Sequence, residues 1–133
     1  MKNVFAEVIT IGDEILYGQT LDTNTQWIGQ RLNEIGIKIS RKISISDDKD
    51  EIVHVLDEAS KRADIVLITG GLGPTKDDIT KQTLAAYFDS KLERNDEALA
   101  HIKELFRSRG REITPTNEKQ ADLPKACTMI KNR

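Results

Sequence analysis

Residues 65–80 have the sequence IVLITGGLGPTKDDIT, in which an apolar run leads into a cluster of glycines and then two adjacent aspartates. The run at 65–68 is typical of a buried strand, and a segment starting near Asp77 or Asp78 is typical of a helix N-terminus. A strand, a glycine-rich turn and a helix in this order are the building unit of a parallel α/β sheet. This stretch therefore predicts an α/β protein.

Two further strand patterns precede this stretch. Residues 4–11 are rich in β-branched side chains, and isoleucines alternate with polar residues over 37–45. Helix patterns follow both strands; the first has cap candidates at Asp22, Thr23 and Asn24, and the second at Asp47 or Asp48. Apolar strands that alternate with helices predict a largely parallel sheet with helices on both faces.

Downstream of the glycine cluster, three more helix patterns follow. The first carries apolar residues over 79–88, the second begins at the cap Asn95 and ends at Gly110, and the third spans 115–123. No internal repeat or linker-like segment divides the chain. We therefore expect one domain over residues 1–133.

Composition excludes several classes of partner. The 20 Lys and Arg residues nearly balance the 22 Asp and Glu residues, and a net charge of -2 gives no general attraction to nucleic acid or acidic membranes. The single cysteine, Cys127, cannot form an internal disulfide, and no apolar run approaches the roughly 20 residues that span a bilayer. We expect a soluble cytoplasmic protein that binds neither nucleic acid nor membrane.

The predicted topology places a candidate site. Open α/β sheets bind ligands outside the carboxyl ends of their strands. The three loops at those ends would share one edge if the strands are parallel, and they comprise residues 12–14, 46–48 and 69–73. This edge would form a crevice lined with glycines and carboxylates.

The third loop has the chemistry of a phosphate site. Glycines let backbone N–H groups approach an anion closely, and the loop has three, Gly70, Gly71 and Gly73. Two aspartates at the following helix start would repel a bare phosphate, so Asp77 and Asp78 point to a divalent cation between them and the phosphate. Lys76 would add positive charge. The loop therefore suits a metal-bridged phosphate ester.

A purely structural interpretation is also open. A glycine cluster between strand and helix is often a tight connection, and Asp is a common helix cap. The loop matches neither the P-loop nor the GxGxxG dinucleotide pattern. We interpret Glu14, His54 and His101 as surface or core-edge residues, and Trp27 as a core residue.

Four motifs together carry a family resemblance. They are IGDEILYG at 11–18, LDTNTQWIGQRLNEIG at 21–36, ITGGLGPTKDDIT at 68–80 and NEKQADLP at 117–124. In this order they are similar to the N-terminal domain of the CinA family, the competence/damage-inducible proteins, which shares the molybdopterin-binding fold of MoaB and MogA. The resemblance implies a three-layer α/β/α sandwich with a mostly parallel sheet.

The resemblance also implies an activity. CinA-type members are metal-dependent nucleotide diphosphate hydrolases of the ADP-ribose pyrophosphatase type, which release AMP and ribose 5-phosphate with Mg, Mn or Co as divalent metal. Two alternatives remain open: a non-catalytic module that binds molybdopterin or a nucleotide, and a molybdopterin adenylyltransferase of molybdenum cofactor biosynthesis. The segment GGLGPTKDD favours the CinA type over the adenylyltransferase.

Site residues follow from the same resemblance. Asp78, aided by Asp77, would be catalytic, and the metal ligands would be Asp78, Asp77 and Asp47. The residues expected to bind substrate are Gly12, Asp13, Asp22, Asn24, Gly70, Gly71, Gly73, Lys76, Thr80, Asn117 and Lys119.

The sequence departs from the family near its C-terminus. Family members continue beyond the NEKQA segment into another strand and a second glycine-rich loop of GTAPG type, whereas this sequence stops at residue 133. A C-terminal domain resembling nicotinamide mononucleotide deamidase is also absent. We therefore expect a C-terminally truncated member whose substrate affinity and activity depend on a loop that it lacks, and whose exposed apolar edge a homo-oligomer or a partner chain would cover.

Overall fold

The computed structural model describes residues 2–73 and 79–132 of the chain. These residues form two compact units, Met1–Gly71 and Leu72–Arg133. The expectation of one domain over residues 1–133 stays a prediction.

The first unit is built on a parallel three-stranded sheet. Its strands are β1 (Val4–Ile11), β2 (Ile37–Ile45) and β3 (Ile65–Gly70), in the order β2-β1-β3. Its helices are α1 (Asp13–Leu16), α2 (Thr23–Glu34) and α3 (Lys49–Arg62). The prediction of an α/β fold with a parallel sheet is confirmed.

Helices α2 and α3 cover opposite faces of this sheet. Thr10 of β1 contacts the Thr25 hydroxyl of α2, and Glu7 of β1 contacts Arg62 of α3. Successive side chains of a strand point to opposite faces, so residues seven and ten lie on different sides of the sheet. The first unit is therefore a helix–sheet–helix sandwich, as the sequence predicts.

The core of the first unit lies around β1. Ala6, Val8, Ile9 and Ile11 of this central strand are buried. Helix α3 contributes Ile52, Val55, Leu56 and Ala59, which recur at helical spacing. Burial of each large aliphatic side chain contributes roughly 1.5 to 3 kcal/mol, so this strand and helix supply most of the unit's apolar stabilisation.

Both predicted helix starts are capped by aspartate. Asp22 accepts a hydrogen bond from the Thr25 amide, and Asp48 accepts one from the Glu51 amide at 2.9 Å. Asp48 is thus the cap of α3, which settles the choice left open between it and Asp47. Such caps satisfy amide groups that have no partner within the helix.

The second unit contains short elements. They are α4 (Ile79–Tyr87), β4 (Leu92–Arg94), α5 (Asp96–Ser108), α6 (Pro115–Glu118), a 3-10 helix (Lys119–Ala121) and β5 (Asp122–Pro124). Strands β4 and β5 pair antiparallel, and Asn95 caps α5 by accepting a hydrogen bond from the Ala98 amide at 2.8 Å. The predicted cap of α5 is therefore confirmed.

Two predictions about these elements are wrong. The helix predicted over 115–123 ends at Ala121, because the chain then extends to pair with β4. Trp27, predicted in the core, is 59% exposed, and the Arg31 guanidinium lies 5.4 Å from its ring centroid. Only Thr25 of α2 is fully buried, and the large indole lies beside the inward stripe rather than on it.

Within the described ranges, no helix is long and apolar enough to cross a membrane. The cytoplasmic location stays a prediction.

Candidate functional site

The carboxyl ends of the three parallel strands meet at one edge of the first unit. Ile11 at the end of β1 pairs with Ile45 of β2 on one side and with Gly70 of β3 on the other. The Gly12 amide then donates a 3.0 Å hydrogen bond to the Ile45 carbonyl. Pairing therefore brings the loops after all three strands to one edge, which we call the carboxyl edge.

Gly70 is required at this edge by the packing of two backbones. It has a φ of 94°, and a Cβ placed there would lie 2.0 Å from the Ile11 carbonyl oxygen. Gly71 follows with a φ of 66°, a conformation that residues with side chains rarely adopt. A tight connection between strand and helix is therefore enough to explain the glycine at position 70. Gly70 and Gly71 also add no side chains to the carboxyl edge.

Asp13 is the exposed carboxylate of the carboxyl edge. It occupies the first turn of α1, directly after the buried Gly12, and Glu14 beside it is also exposed. The Glu14 carboxylate lies over Gly12, where an added Cβ would come within 2.5 Å of its Oε1 atom. Among the substrate-binding residues predicted in the first unit, Asp13 supplies the exposed carboxylate.

Asp22 has a different environment, because the fold itself uses both of its carboxylate oxygens. Its Oδ1 accepts the Thr25 amide at 3.0 Å, and its Oδ2 accepts the Thr10 hydroxyl at 2.9 Å and also the Thr25 hydroxyl. The two threonine hydroxyls are also within 2.9 Å of each other. This Thr10–Asp22–Thr25 cluster ties the start of α2 to β1.

Electrostatics favour the ionised form of Asp22. Burial alone would raise the pKa of this carboxyl, but the hydrogen bonds from Thr25 and Thr10 and the positive charge of Lys42 together lower it below its ordinary value. A lowered pKa with three protein donors is typical of a structural carboxylate. The predicted role of Asp22 in substrate binding stays a prediction, and its role as a helix cap is confirmed.

Sequence reasoning missed the two threonines of the cluster. Thr10 and Thr25 are both buried, and each contributes a hydroxyl that has its partner inside the protein. The cap position of Asp22 predicts the contact with the Thr25 amide, because a cap side chain accepts from the backbone three residues on, but it does not predict the hydroxyl contact. Nothing in the sequence alone indicated that Thr10 would join from the neighbouring strand.

The remaining candidates of the first unit lie close to helix starts. Asp47 is half-buried in the turn between β2 and the cap of α3. Asn24 is exposed in the first turn of α2, next to the Thr10–Asp22–Thr25 cluster. Asp47 therefore lies in the loop after β2, whereas α1 separates Asn24 from the end of β1.

Four of the predicted residues that the structure describes belong to the second unit. Thr80 is buried in the first turn of α4, Asn117 is half-buried in α6, and Lys119 is exposed. The Lys119 carbonyl accepts a 2.8 Å hydrogen bond from the Lys81 ammonium. The fourth residue, Gly73, is half-buried.

The residues predicted to carry the chemistry lie outside the described ranges. They are Lys76, Asp77 and Asp78. Among the residues the structure describes, no group of three His, Cys, Asp or Glu side chains is placed to hold a metal ion. The catalytic and metal-binding roles of the two aspartates therefore stay predictions.

Comparison with known proteins identifies what this fold and edge resemble. The family model described as "Probable molybdopterin binding domain" matches residues 7–131. A CinA-like protein of Cytophaga hutchinsonii is 54% identical over 131 residues, 98% of this chain and 31% of that protein. A CinA-like protein of Flavobacterium psychrophilum is 46% identical over 129 residues, 96% of this chain and 31% of its own length. The chain thus spans about a third of the length of these relatives.

Two solved structures are similar to this chain in both sequence and fold. CinA from Thermoplasma acidophilum is 38% identical, with a TM-score of 0.83 over 98% of this chain and 76% of that one. The tungsten cofactor synthesizing protein MoaB from Pyrococcus furiosus is 30% identical, with a TM-score of 0.64 over 82% of this chain and 68% of that one.

Proposed function

The chain belongs to the molybdopterin-binding domain family as a CinA-type member, and on that premise we propose that it hydrolyses a nucleotide diphosphate. The reaction would be of the ADP-ribose pyrophosphatase type, yielding AMP and ribose 5-phosphate. The observation that carries the proposal is the carboxyl edge, where the exposed Asp13 lies beside the glycine-lined ends of β1 and β3.

Residues at this edge have different roles in the proposed reaction. Gly71 has no side chain and therefore lets a diphosphate approach the backbone. Asp13 is exposed next to that space and orients a water molecule for attack on phosphorus. Asp22 keeps the start of α2 in place, because its two oxygens already accept three hydrogen bonds.

The metal of the proposal is Mg²⁺, Mn²⁺ or Co²⁺. Carboxylates are suitable ligands for these ions, and Asp77 and Asp78, with Asp47 from the turn before α3, would hold the metal. A divalent ion there would offset the negative charge that develops as the phosphoanhydride bond breaks.

A second candidate is a binding module without turnover. One observation favours it: the fold itself already uses both carboxylate oxygens of Asp22. Such a module would take a molybdopterin-like or nucleotide ligand at the same edge. A MoaB-like adenylyltransferase would further require ATP and the pterin, and the structural similarity to MoaB from Pyrococcus furiosus is compatible with it.

The two candidates are separated by a turnover assay. The purified chain is incubated with ADP-ribose and each of the three metals, and AMP is measured by chromatography. Asp78→Ala is the test variant and Asp57→Ala the matched control, since Asp57 is an exposed residue of α3 that pairs with its helical neighbour Lys61 at 3.1 Å. The hydrolase predicts metal-dependent AMP that is lost only in Asp78→Ala.

Other outcomes have clear meanings. ADP-ribose that stays intact with every metal, while AMP or ADP-ribose binds saturably, would support the binding module. Equal activity in Asp78→Ala and the control would move the catalytic centre away from the glycine loop.

A further inference from the structure

A groove beside the sheet is lined by polar, apolar and cationic residues that have no role in the proposed reaction. It lies between α2 and β2, wholly within the first unit, and has a volume of about 420 Å³. We call it the α2–β2 groove, and its principal lining residues are Gln26, Gln30, Asn33, Ile37, Ile39 and Lys42. A volume of this size is typical of small-molecule sites.

The helix side of the groove presents three carboxamides. Gln26, Gln30 and Asn33 follow one another at spacings of four and three residues, which places them on one face of α2. Each carboxamide has a hydrogen-bond acceptor and two donor hydrogens, and so matches hydroxyl groups, which both donate and accept. Among the described residues, none of those that line this groove is a carboxylate.

The strand side supplies an apolar floor and one cation. Ile37 and Ile39 form the floor, and Lys42 contributes the ammonium group. A Cβ placed at Gly29 would lie 3.5 Å from the Ile39 Cδ1 atom and 3.6 Å from the Lys42 ammonium nitrogen. The helix thus approaches β2 closely at Gly29, and the Lys42 ammonium lies against it.

The cation marks the end of the groove that faces the carboxyl edge. Lys42 pairs with Val8, whereas Ile37 pairs with Val4, so Lys42 lies further along the strands toward that edge. Its charge also acts on Asp22 in the cluster that holds the start of α2. A ligand in the groove would therefore have its anionic end near the carboxyl edge and its neutral end toward Asn33.

We infer that the α2–β2 groove binds a sugar phosphate, with the phosphate at Lys42 and the sugar hydroxyls at the carboxamides of α2. A single cation suits a single phosphate, whereas a nucleic acid strand would call for several cations. The choice of ribose 5-phosphate as the sugar phosphate rests on the proposed function, in which it is a product. The groove itself does not depend on turnover.

The test is a titration of the isotope-labelled chain with ribose 5-phosphate, followed by NMR of backbone and side-chain amides. We expect shifts in the carboxamide signals of Gln26, Gln30 and Asn33, with saturation. Lys42→Gln should weaken binding about tenfold, whereas the matched control Lys38→Gln should not, because Lys38 is on the same strand but outside the groove. Gln30→Leu tests the hydroxyl contact, and inorganic phosphate and ribose serve as component probes.

Several results would overturn the inference. They are an absence of saturable shifts at millimolar ribose 5-phosphate, shifts confined to residues outside the groove, or equal affinity in Lys42→Gln and Lys38→Gln. Spectra of the free variants report whether the fold is retained.

Failure here is distinguishable from failure of the hydrolase. Ribose 5-phosphate in the groove without AMP release from ADP-ribose would leave a sugar-phosphate site and remove the hydrolase. AMP release from ADP-ribose without ribose 5-phosphate binding in the groove would support the hydrolase and overturn the sugar-phosphate site.

Discussion

Arg62 at the end of α3 holds the buried carboxylate of Glu7 with two hydrogen bonds. The Arg62 Nη2 donates to Oε1 at 2.9 Å and the Nε donates to Oε2 at 3.2 Å, while the side chain of Glu7 is only 4% exposed. Arg41 of β2 adds a weaker contact at 3.9 Å, at the register shift where it comes opposite Glu7. This pair joins helix α3 to the central strand.

Removal of one partner of this pair should destabilise the protein more than replacement of both. Arg62→Ala leaves a buried carboxylate with only the long contact to Arg41, and we expect a loss of about 2 kcal/mol in the free energy of unfolding. The double variant Glu7→Leu/Arg62→Met should lose less, because no charge is left buried. Urea denaturation measures both, and a double variant less stable than Arg62→Ala would contradict the argument.

Asp22 should make stability dependent on acid pH. Its pKa is lowered in the folded protein, so its stabilising contribution is present above the pKa of the unfolded chain, about 3.9, and is lost as pH falls through the folded value. Asp22→Ala should cost about 1 kcal/mol at neutral pH, in the range of a lost helix cap. The difference from wild type, measured by denaturation between pH 6 and pH 3, should narrow below about pH 4.

A control for that experiment is Asp48→Ala, which removes the cap of α3 without touching the threonine cluster. Asp48 accepts one amide hydrogen bond and is exposed. If the loss of unfolding free energy depends on pH in the same way in both variants, the hydroxyls of Thr10 and Thr25 are not the cause of the pH dependence at Asp22.

Gly70 should tolerate alanine far less well than Gly18. Both have a φ in the left-handed region, 94° and 74°, but a Cβ at Gly70 meets the Ile11 carbonyl oxygen at 2.0 Å, while one at Gly18 meets nothing within 4 Å. Gly18→Ala should cost about 1 kcal/mol from backbone strain alone. Gly70→Ala should cost at least about 2 kcal/mol more, since two paired strand ends must separate. Equal melting temperatures for the two variants would contradict the close approach.

Much of the first unit could be predicted from sequence, because its signals are local. The isoleucine alternation over 37–45 and the apolar strand at 4–11 match the observed strands, and Gly36, with a φ of 81°, follows the end of α2. In the second unit, β4 has three residues, too few for a period to be visible. Trp27 also shows the limit, because a helical pattern identifies a stripe of side chains but not its centre.

The site was less predictable for a different reason. The strand ends could be located because parallel pairing places them together, yet the partners of a carboxylate depend on contacts distant in sequence. Asp22 was predicted among the substrate-binding residues, but Thr10, twelve residues earlier, uses one of its oxygens. The same residue type at Asp13 lies exposed, so burial and partners, rather than residue type, separate the two roles.

Because Asp13 is exposed, it can be changed to test the proposed activity without disturbing the fold. Under the proposed hydrolysis, Asp13→Asn should lower the rate of AMP release from ADP-ribose about 100-fold, the lower range for loss of a group that positions a proton or water. Its melting temperature should stay near that of wild type, because Asp13 is exposed. Asp57→Asn is the control, an exposed carboxylate of α3 that pairs with Lys61 at 3.1 Å, and should retain activity. A loss of activity in both variants would contradict a specific role for Asp13, and unchanged activity in Asp13→Asn would leave water activation to Asp77 or Asp78.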